Sequence, residues 1–204
     1  MYLKLNSLFY MIFMNTYRPN IIICGQVATG KSSLAKLIAK DFKMEYISSS
    51  TILKGDMGFN YTKEKAFWDK KGLSLFKERK SKDFDKKVDK LQLKFAKEGG
   101  KVFDTWALGW LYKGKAIKIM LLASEPVKLS RLIERDKITK KDALKALYER
   151  DNKNAKLFKD LYGIDIIKDK SPFDLVVNTD YLTQEDGHKL LKDYISKALK
   201  KIVI

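Results

Sequence analysis

Cysteine, histidine, proline and arginine are all scarce in this chain. One cysteine, Cys24, excludes an intrachain disulfide framework and points to a reducing compartment, the cytoplasm. With one histidine, His188, beside it, the chain lacks the ligands for a zinc centre of the usual kind. The same scarcity argues against Ser-His-Asp and Cys-His catalysis. Only five of the 42 basic residues are arginine: Arg18, Arg79, Arg131, Arg135 and Arg150. The net charge is nonetheless +17, carried by lysines scattered through the chain rather than gathered in one block. They read as solvated faces, and nucleic acid is the less favoured partner. No apolar run spans a bilayer. The first twenty residues are apolar but short and lack a small-residue cleavage site, so no membrane partner is expected. Residues 1–14 read as an N-terminal extension, with Met11 or Met14 as an alternative start, and 15–204 as a single domain of ordinary hydrophobic content.

What is present is concentrated between Ile21 and Leu34, IIICGQVATGKSSL. Ile21 to Ile23 read as a buried strand. Gly25, Gln26, Val27, Ala28, Thr29, Gly30, Lys31 and Ser32 spell G-x-x-x-x-G-K-S, the phosphate-binding P-loop pattern, and Ser33 follows. Leu34, Leu37 and Ile38 then repeat at helical spacing. Between a strand and a helix, the glycines allow a tight turn that presents main-chain N–H groups to an anion. The helix adds the positive end of its dipole. Lys31 is expected on the β- and γ-phosphates of ATP, and the Ser32 hydroxyl on Mg²⁺.

Further along, Met44–Ser48 reads as a second strand, followed by a helix capped by Ser50 or Thr51. From Tyr61 to Gly99 the chain is charged and helical, and Phe84, Val88, Leu91 and Phe95 make an apolar stripe expected in the core. Lys101–Asp104 reads as a third strand ending on a carboxylate, the usual partner of Mg²⁺ or its water beside a P-loop. The alternative is that Asp104 caps the next helix. Ile117–Ala123 reads as a central strand, Pro126 opens a helix carrying Arg131 and Arg135, and Thr139-x-x-Asp142 opens another carrying Arg150. Leu175–Asn178 is a fifth strand and Thr183-x-x-Asp186 starts the last helix. Strands alternate with helices. The expected fold is therefore α/β, a P-loop NTPase-like three-layer sandwich with a five-stranded parallel sheet. A helical insertion is expected at 54–100 and a small lid region at 131–162.

These segments resemble the nucleoside monophosphate kinases, and most of all the archaeal-type cytidylate kinases. The resemblance runs from about Ile21 to Leu191. It rests on GQVATGKS, MEYISSSTILK, KVFDTWALGW, EPVKLSRLIERD, YERDNKNAKLFKDLYGID and FDLVVNTDYLTQED. It implies an enzyme that moves the γ-phosphoryl group of Mg-ATP to a nucleoside monophosphate, CMP or dCMP, with Mg²⁺ as cofactor and a monomer as the working unit. It also implies that the insertion binds the acceptor, and that Lys31, Arg131, Arg135 and Arg150 surround the phosphate in transfer. Ser48, Lys54, Asp104, Trp106 and Asn154 fall at acceptor-binding positions, and Ser32 and Asp104 at the metal.

The departures lie on the acceptor side. Ser48-Ser49-Ser50-x-x-x-Lys54 replaces Ser-Ala-Gly-x-x-x-Arg, and lysine lacks the bidentate fork of arginine. Thr105-Trp106 replaces Gly-Arg, Asn154 replaces an acid, and Leu157 replaces an arginine. Alternative readings follow: an ATP-binding P-loop protein with a degenerate acceptor site (sensor or pseudo-kinase), an RNA-associated P-loop ATPase, or a kinase for a hydroxyl acceptor with Asp104 as base.

Overall fold

The computed structural model describes residues 18–49, 51–52 and 82–202. The expected N-terminal extension, Ser50, Lys54 and most of the 54–100 insertion lie outside the described residues. Strand β1 (Asn20–Gly25) is central and buried along its whole length. It pairs in parallel with β3 (Lys101–Thr105) on one side and β4 (Ala116–Leu122) on the other. With β2 (Glu45–Ser48) and β5 (Leu175–Asn178) the order is β2-β3-β1-β4-β5, all parallel. The sheet and its five strands are those expected. Strand β4 runs from Ala116 to Leu122, one residue earlier than the sequence suggests.

The pleat explains the two apolar layers. Successive side chains of a strand point to opposite faces. Ile21 and Ile23 therefore join Leu34 and Ile38 of α1 (Lys31–Asp41) and Leu191 and Ile195 of the C-terminal helix, Gln184–Ile202. Ile22 and Cys24 join Phe103, Met120, Leu108 and Phe158 on the other face. Full burial pushes the Cys24 thiol up to about 12, so it behaves as a small core residue. Gly25, at the end of β1, has no room for a side chain: a Cβ would meet Leu121 O and Thr29 Oγ1, each at 2.7 Å.

On the second face lie α2 (Lys82–Glu98), the short α3 (Leu108–Leu111) and the far end of α5 (Lys140–Tyr162). Helix α4 (Glu125–Asp136) packs on the near end of α5 through Leu129, Leu132, Ala143 and Leu147, and Val27 of the P-loop closes that cluster. Pro126 sits in the first turn of α4, and the Thr139 hydroxyl accepts from Asp142 N (3.2 Å) to cap α5, as the sequence suggests. The C-terminal helix is α6 (Gln184–Ile202), entered through the reciprocal Thr183–Asp186 pair.

Two local expectations change. The turn after β2 is closed by Ser48 and Thr51 together, and Ser50 lies outside the described residues. Ser48 Oγ accepts from Thr51 N (3.1 Å) and Thr51 Oγ1 accepts from Ser48 N (2.8 Å). The inward face of α2 is also rotated from the apolar stripe. Val88 is buried as expected and Leu91 and Phe95 are half-buried, but Asp85, Asp89, Gln92 and Ala96 are buried with Val88. The face turned in is amphipathic because its polar groups have partners. Tyr162 Oη donates to Asp89 (2.8 Å), Thr105 Oγ1 donates to Gln92 Oε1 (2.7 Å), and Gln92 Nε2 donates to Ser49 Oγ (3.2 Å).

Candidate active site

The loop from Gly25 to Lys31 joins the C-terminal end of β1 to the N-terminus of α1. Gly30 (φ 87°) and Ala28 (φ 59°) both take the left-handed conformation. Right- and left-handed residues in alternation turn successive N–H groups to one side, which is the geometry of an anion nest. At Ala28 the conformation carries a Cβ and is strained.

Parallel register sets Asp104 of β3 opposite Ile23 of β1 and Ser48 of β2, beside the start of this loop. Its two oxygens are committed. Lys31 Nζ donates to Oδ1 at 2.6 Å and Tyr46 Oη donates to Oδ2 at 2.9 Å. Burial alone would raise the Asp104 pKa. The Lys31 ammonium, with the Ser32 and Tyr46 hydroxyls, outweighs that effect and holds the carboxyl below the usual range. Asp104 does not cap the following helix, because the Leu108 amide turns to Thr105 Oγ1 (3.4 Å) instead. Among the described residues no group of three or more His, Cys, Asp or Glu is arranged to hold a metal ion. Ser32 with the ionised Asp104 is the donor set expected where a nucleotide's own phosphates complete a Mg²⁺ shell.

The arginines divide. Arg131 grips the loop from behind: Nη1 reaches Ala28 O (3.3 Å) and Thr179 Oγ1 (2.9 Å), and Nη2 reaches Thr179 O (2.7 Å). A trans peptide holds C=O and N–H on opposite sides, so Arg131 lies across from the Thr29 N–H. Arg135, one turn further on α4, is 45% exposed and makes a forked pair with Asp136 (both contacts 2.7 Å). Arg150 is half-buried on α5, next to a buried Asp151.

Asp151 and Lys128 are site components that the sequence reading passed over. Lys128 Nζ donates to Asp151 Oδ2 (2.9 Å) and to Gln26 Oε1 of the P-loop (3.1 Å). The other oxygen of Asp151 accepts from Val27 N at 3.3 Å. The available signal was the i, i+3 spacing of Lys128 and Arg131, which puts both on one face of α4.

On the acceptor side, Ser48 is buried and spent on its turn, and Thr105 is spent on Gln92. Trp106 is half-buried and lines a cavity of about 30 Å³ with Gly25, Gln26, Trp110 and Met120, room for about one water. Asn154 is 6% exposed, yet its amide makes no hydrogen bond to any described residue and is not sealed from solvent. The inward face of α5 runs Leu147, Asp151, Asn154, Phe158. Asn154 therefore falls between the residue bonded to the P-loop and the cluster beneath α3.

No helix among the described residues is long and apolar enough to cross a membrane. Solved structures share the architecture. A protein of Eubacterium ventriosum aligns with a TM-score of 0.62 at 14% identity, over 88% of this chain and 99% of its own. Shikimate kinase of Bacteroides thetaiotaomicron aligns with 0.54 at 14% identity, over 87% and 98%. At this identity the likeness speaks for the fold, an α/β P-loop kinase fold. Sequence relatives go further. The cytidylate kinase of Sulfurisphaera tokodaii is 33% identical over 187 residues, 89% of this chain and 97% of that protein. The cytidylate kinase of Pyrococcus horikoshii is 31% identical over 176 residues, 84% and 85%. The model of the cytidylate kinase-like family matches residues 20–181, from the first residue of β1 to just beyond β5. With the family model spanning most of the chain and relatives above 30% identity covering nearly all of it, the chain belongs to the cytidylate kinase-like family and is a phosphotransferase of that kind.

Proposed function

We propose that this chain transfers the γ-phosphoryl group of Mg-ATP to a pyrimidine nucleoside monophosphate, with CMP or dCMP as acceptor. The observation that carries the reading is the Lys31–Asp104 pair at the mouth of the amide nest, together with relatives named cytidylate kinase over most of the chain. An acceptor phosphate with a second pKa near ~6 is already largely dianionic at neutral pH. It needs no general base, which suits a chain with a single exposed-side histidine paired to Asp41 (2.9 Å).

The amides from Ala28 to Ser33 would hold the β- and γ-phosphates, and Lys31 would turn from Asp104 to the transferring group. Asp104 would keep the Tyr46 hydroxyl as a donor (2.9 Å) when Lys31 leaves. Ser32 and Asp104 would hold Mg²⁺, which when bound neutralises phosphate charge. Arg150, from the lid region at 131–162, would face the phosphate in flight, with Arg135 released from Asp136 to join it. Arg131 would act by holding the loop's shape. The 54–100 insertion would receive the acceptor, with Lys54 near its phosphate, Trp106 beneath its base and Ser48 in the supporting turn. Every group named comes from one chain, so a monomer suffices, and a buried thiol without disulfides suits the cytoplasm.

The acceptor base is where this chain has its own character. An aspartate or glutamate only accepts hydrogen bonds when ionised, whereas the Asn154 amide both donates and accepts. An amide can face the cytosine edge or, rotated, the uracil edge. The test is a coupled ADP-release assay with CMP, dCMP, UMP, dUMP, AMP and GMP. Turnover is expected with the cytidine nucleotides first and measurable turnover with UMP. ATP binding with no turnover on any acceptor would sink the kinase reading in favour of a nucleotide sensor. Hydrolysis stimulated by RNA, with steep salt dependence, would favour the RNA-associated ATPase.

A further inference from the structure

Lys128 is the only buried cation among the described residues. Taking an ammonium out of water costs several kcal/mol unless its partners are well placed. Lys128 lies on α4 beside the apolar cluster of Leu129, Leu132, Ala143 and Leu147, where a methionine or leucine would pack without that cost. Its bonds tie three separate elements together. They join α4 to the Gln26 side chain in the P-loop, and to Asp151 on α5. Asp151 closes the triangle through the main-chain N–H of Val27. One carboxylate is thus bonded to both the phosphate loop and the lysine that braces it.

Asp151 is also the residue directly after Arg150 and one turn before Asn154 on the same uninterrupted helix. An α-helix is stiff over a single turn, so wherever Asp151 is held, Arg150 and Asn154 are held too. We propose that Lys128 and Asp151 are positioning residues for phosphoryl transfer: the pair fixes the register of α5 against the P-loop, and so sets Arg150 and the acceptor-side Asn154 relative to the nucleotide phosphates. This rests on the kinase reading above. Neither side chain touches the reacting atoms. Their effect runs through the loop and the helix, and a misplacement of about 1 Å is enough to cost on the order of 100-fold in rate.

The test compares Lys128→Met, Asp151→Asn, Lys128→Arg and the double variant Lys128→Met/Asp151→Leu, each in the full chain. Melting temperature, kcat, KM for ATP and hydrogen exchange over residues 25–31 are measured. Each single neutralisation is expected to lower kcat by about 30-fold or more, on the scale of such misplacements, with KM for ATP changed less than about threefold. Lys128→Arg keeps the charge and is expected to retain kcat within about fivefold. The double variant is expected to regain most of the lost melting temperature, as apolar replacements of buried pairs often do, without regaining kcat. A pair that merely stabilises the fold would behave otherwise. The double variant would recover rate along with stability, or the single variants would melt lower with kcat per folded molecule unchanged, and either result overturns the proposal. If wild type itself turned over no acceptor, the kinase reading would fall first. The pair would then be judged on exchange alone: faster exchange at Val27 in Asp151→Asn supports the register role, and unchanged exchange overturns it.

Discussion

Two lysine–carboxylate pairs flank the same loop, and they are built for opposite ends. Lys31 and Asp104 stand 2.6 Å apart with 13% and 7% of their side chains exposed. Lys128 and Asp151 stand 2.9 Å apart at 9% and 8%. Burial hardly separates them, and the surroundings do. Asp104 has the Tyr46 hydroxyl at 2.9 Å besides its lysine, so the lysine can leave for a phosphate while the carboxylate keeps a well-placed donor. Asp151 has one main-chain amide at 3.3 Å, and Lys128 has one amide oxygen besides the carboxylate. Neither member of the second pair can leave without exposing a buried charge to apolar neighbours. The inner pair is therefore exchangeable and the outer one fixed. Of two pairs with similar geometry, the one whose carboxylate keeps the shorter second hydrogen bond is the one that can take part in chemistry.

The largest effect that separates the pairs is on rate. Lys31→Met is expected to lower turnover by about 1,000-fold or more, as loss of a group aimed at developing phosphate charge does. The structure adds that this variant also removes Asp104's counter-charge, so a clean loss of function with no loss of stability is not expected. A cost of about 2 kcal/mol would show as a lower melting temperature. Turnover within about tenfold of wild type would contradict the assignment of Lys31.

Next in size is a pH effect on stability. The folded pKa of Asp104 is held below its unfolded value. The sign then follows: above the unfolded pKa the ionised group favours the folded state, and this contribution is lost as pH falls through the folded pKa. Asp104→Asn is expected to cost about 2–3 kcal/mol at neutral pH, since Lys31 is left facing a neutral amide. The gap between variant and wild type is expected to narrow as the solution is taken below the ordinary carboxylate range. Urea denaturation at a series of pH values measures it, and a gap constant down to strongly acid solution would show that Asp104 contributes nothing through its charge.

How far these features were legible in the sequence depends on whether their cause is local. The P-loop is a main-chain device, and its glycines and lysine stand next to each other, so Gly25 to Ser32 could be read directly. The same holds for β1, whose apolar run is continuous, and for β5. Asp104 was legible because it lies at the end of a strand, one residue before the last of β3. Lys128 and Asp151 lie 23 residues apart on two helices, and one lysine among so many carries no signal until the fold places it against Gln26. The face of α2 was legible only in part, for a related reason: Val88, Leu91 and Phe95 do pack on the core, and the Phe84 side chain lies outside the described residues. Apolar spacing picked Phe84, Val88, Leu91 and Phe95, while the fold turned in Asp89 and Gln92, whose partners Tyr162 and Thr105 come from distant segments. Arg131 and Arg135 looked equivalent at i, i+4. Only the position of Thr179, brought beside α4 by the chain leaving β5, separates them.

The smallest effect concerns Ala28, the residue that the outer face of the loop holds in place. Its φ of 59° lies where a Cβ crowds the following carbonyl, at a cost of about 1–2 kcal/mol. Glycine would take that conformation freely, but an unfolded chain with glycine has about 0.5–1 kcal/mol more entropy to lose. The two terms nearly cancel, so Ala28→Gly alone is expected to shift stability by less than about 1 kcal/mol. What maintains the strained alanine is the grip of Arg131 on its carbonyl. Remove that grip with Arg131→Met and the alanine is free to relax, the nest loses its shape, and Mg-ATP affinity should fall. Glycine in that background needs no enforcement, so Arg131→Met/Ala28→Gly should bind Mg-ATP several-fold more tightly than Arg131→Met. In the wild-type background Ala28→Gly should change affinity by less than about twofold. Calorimetric titration of the four proteins closes the cycle. If the two substitutions prove additive, Arg131 does not act on the loop through Ala28, and the loop owes its shape to the Lys128–Asp151 side alone.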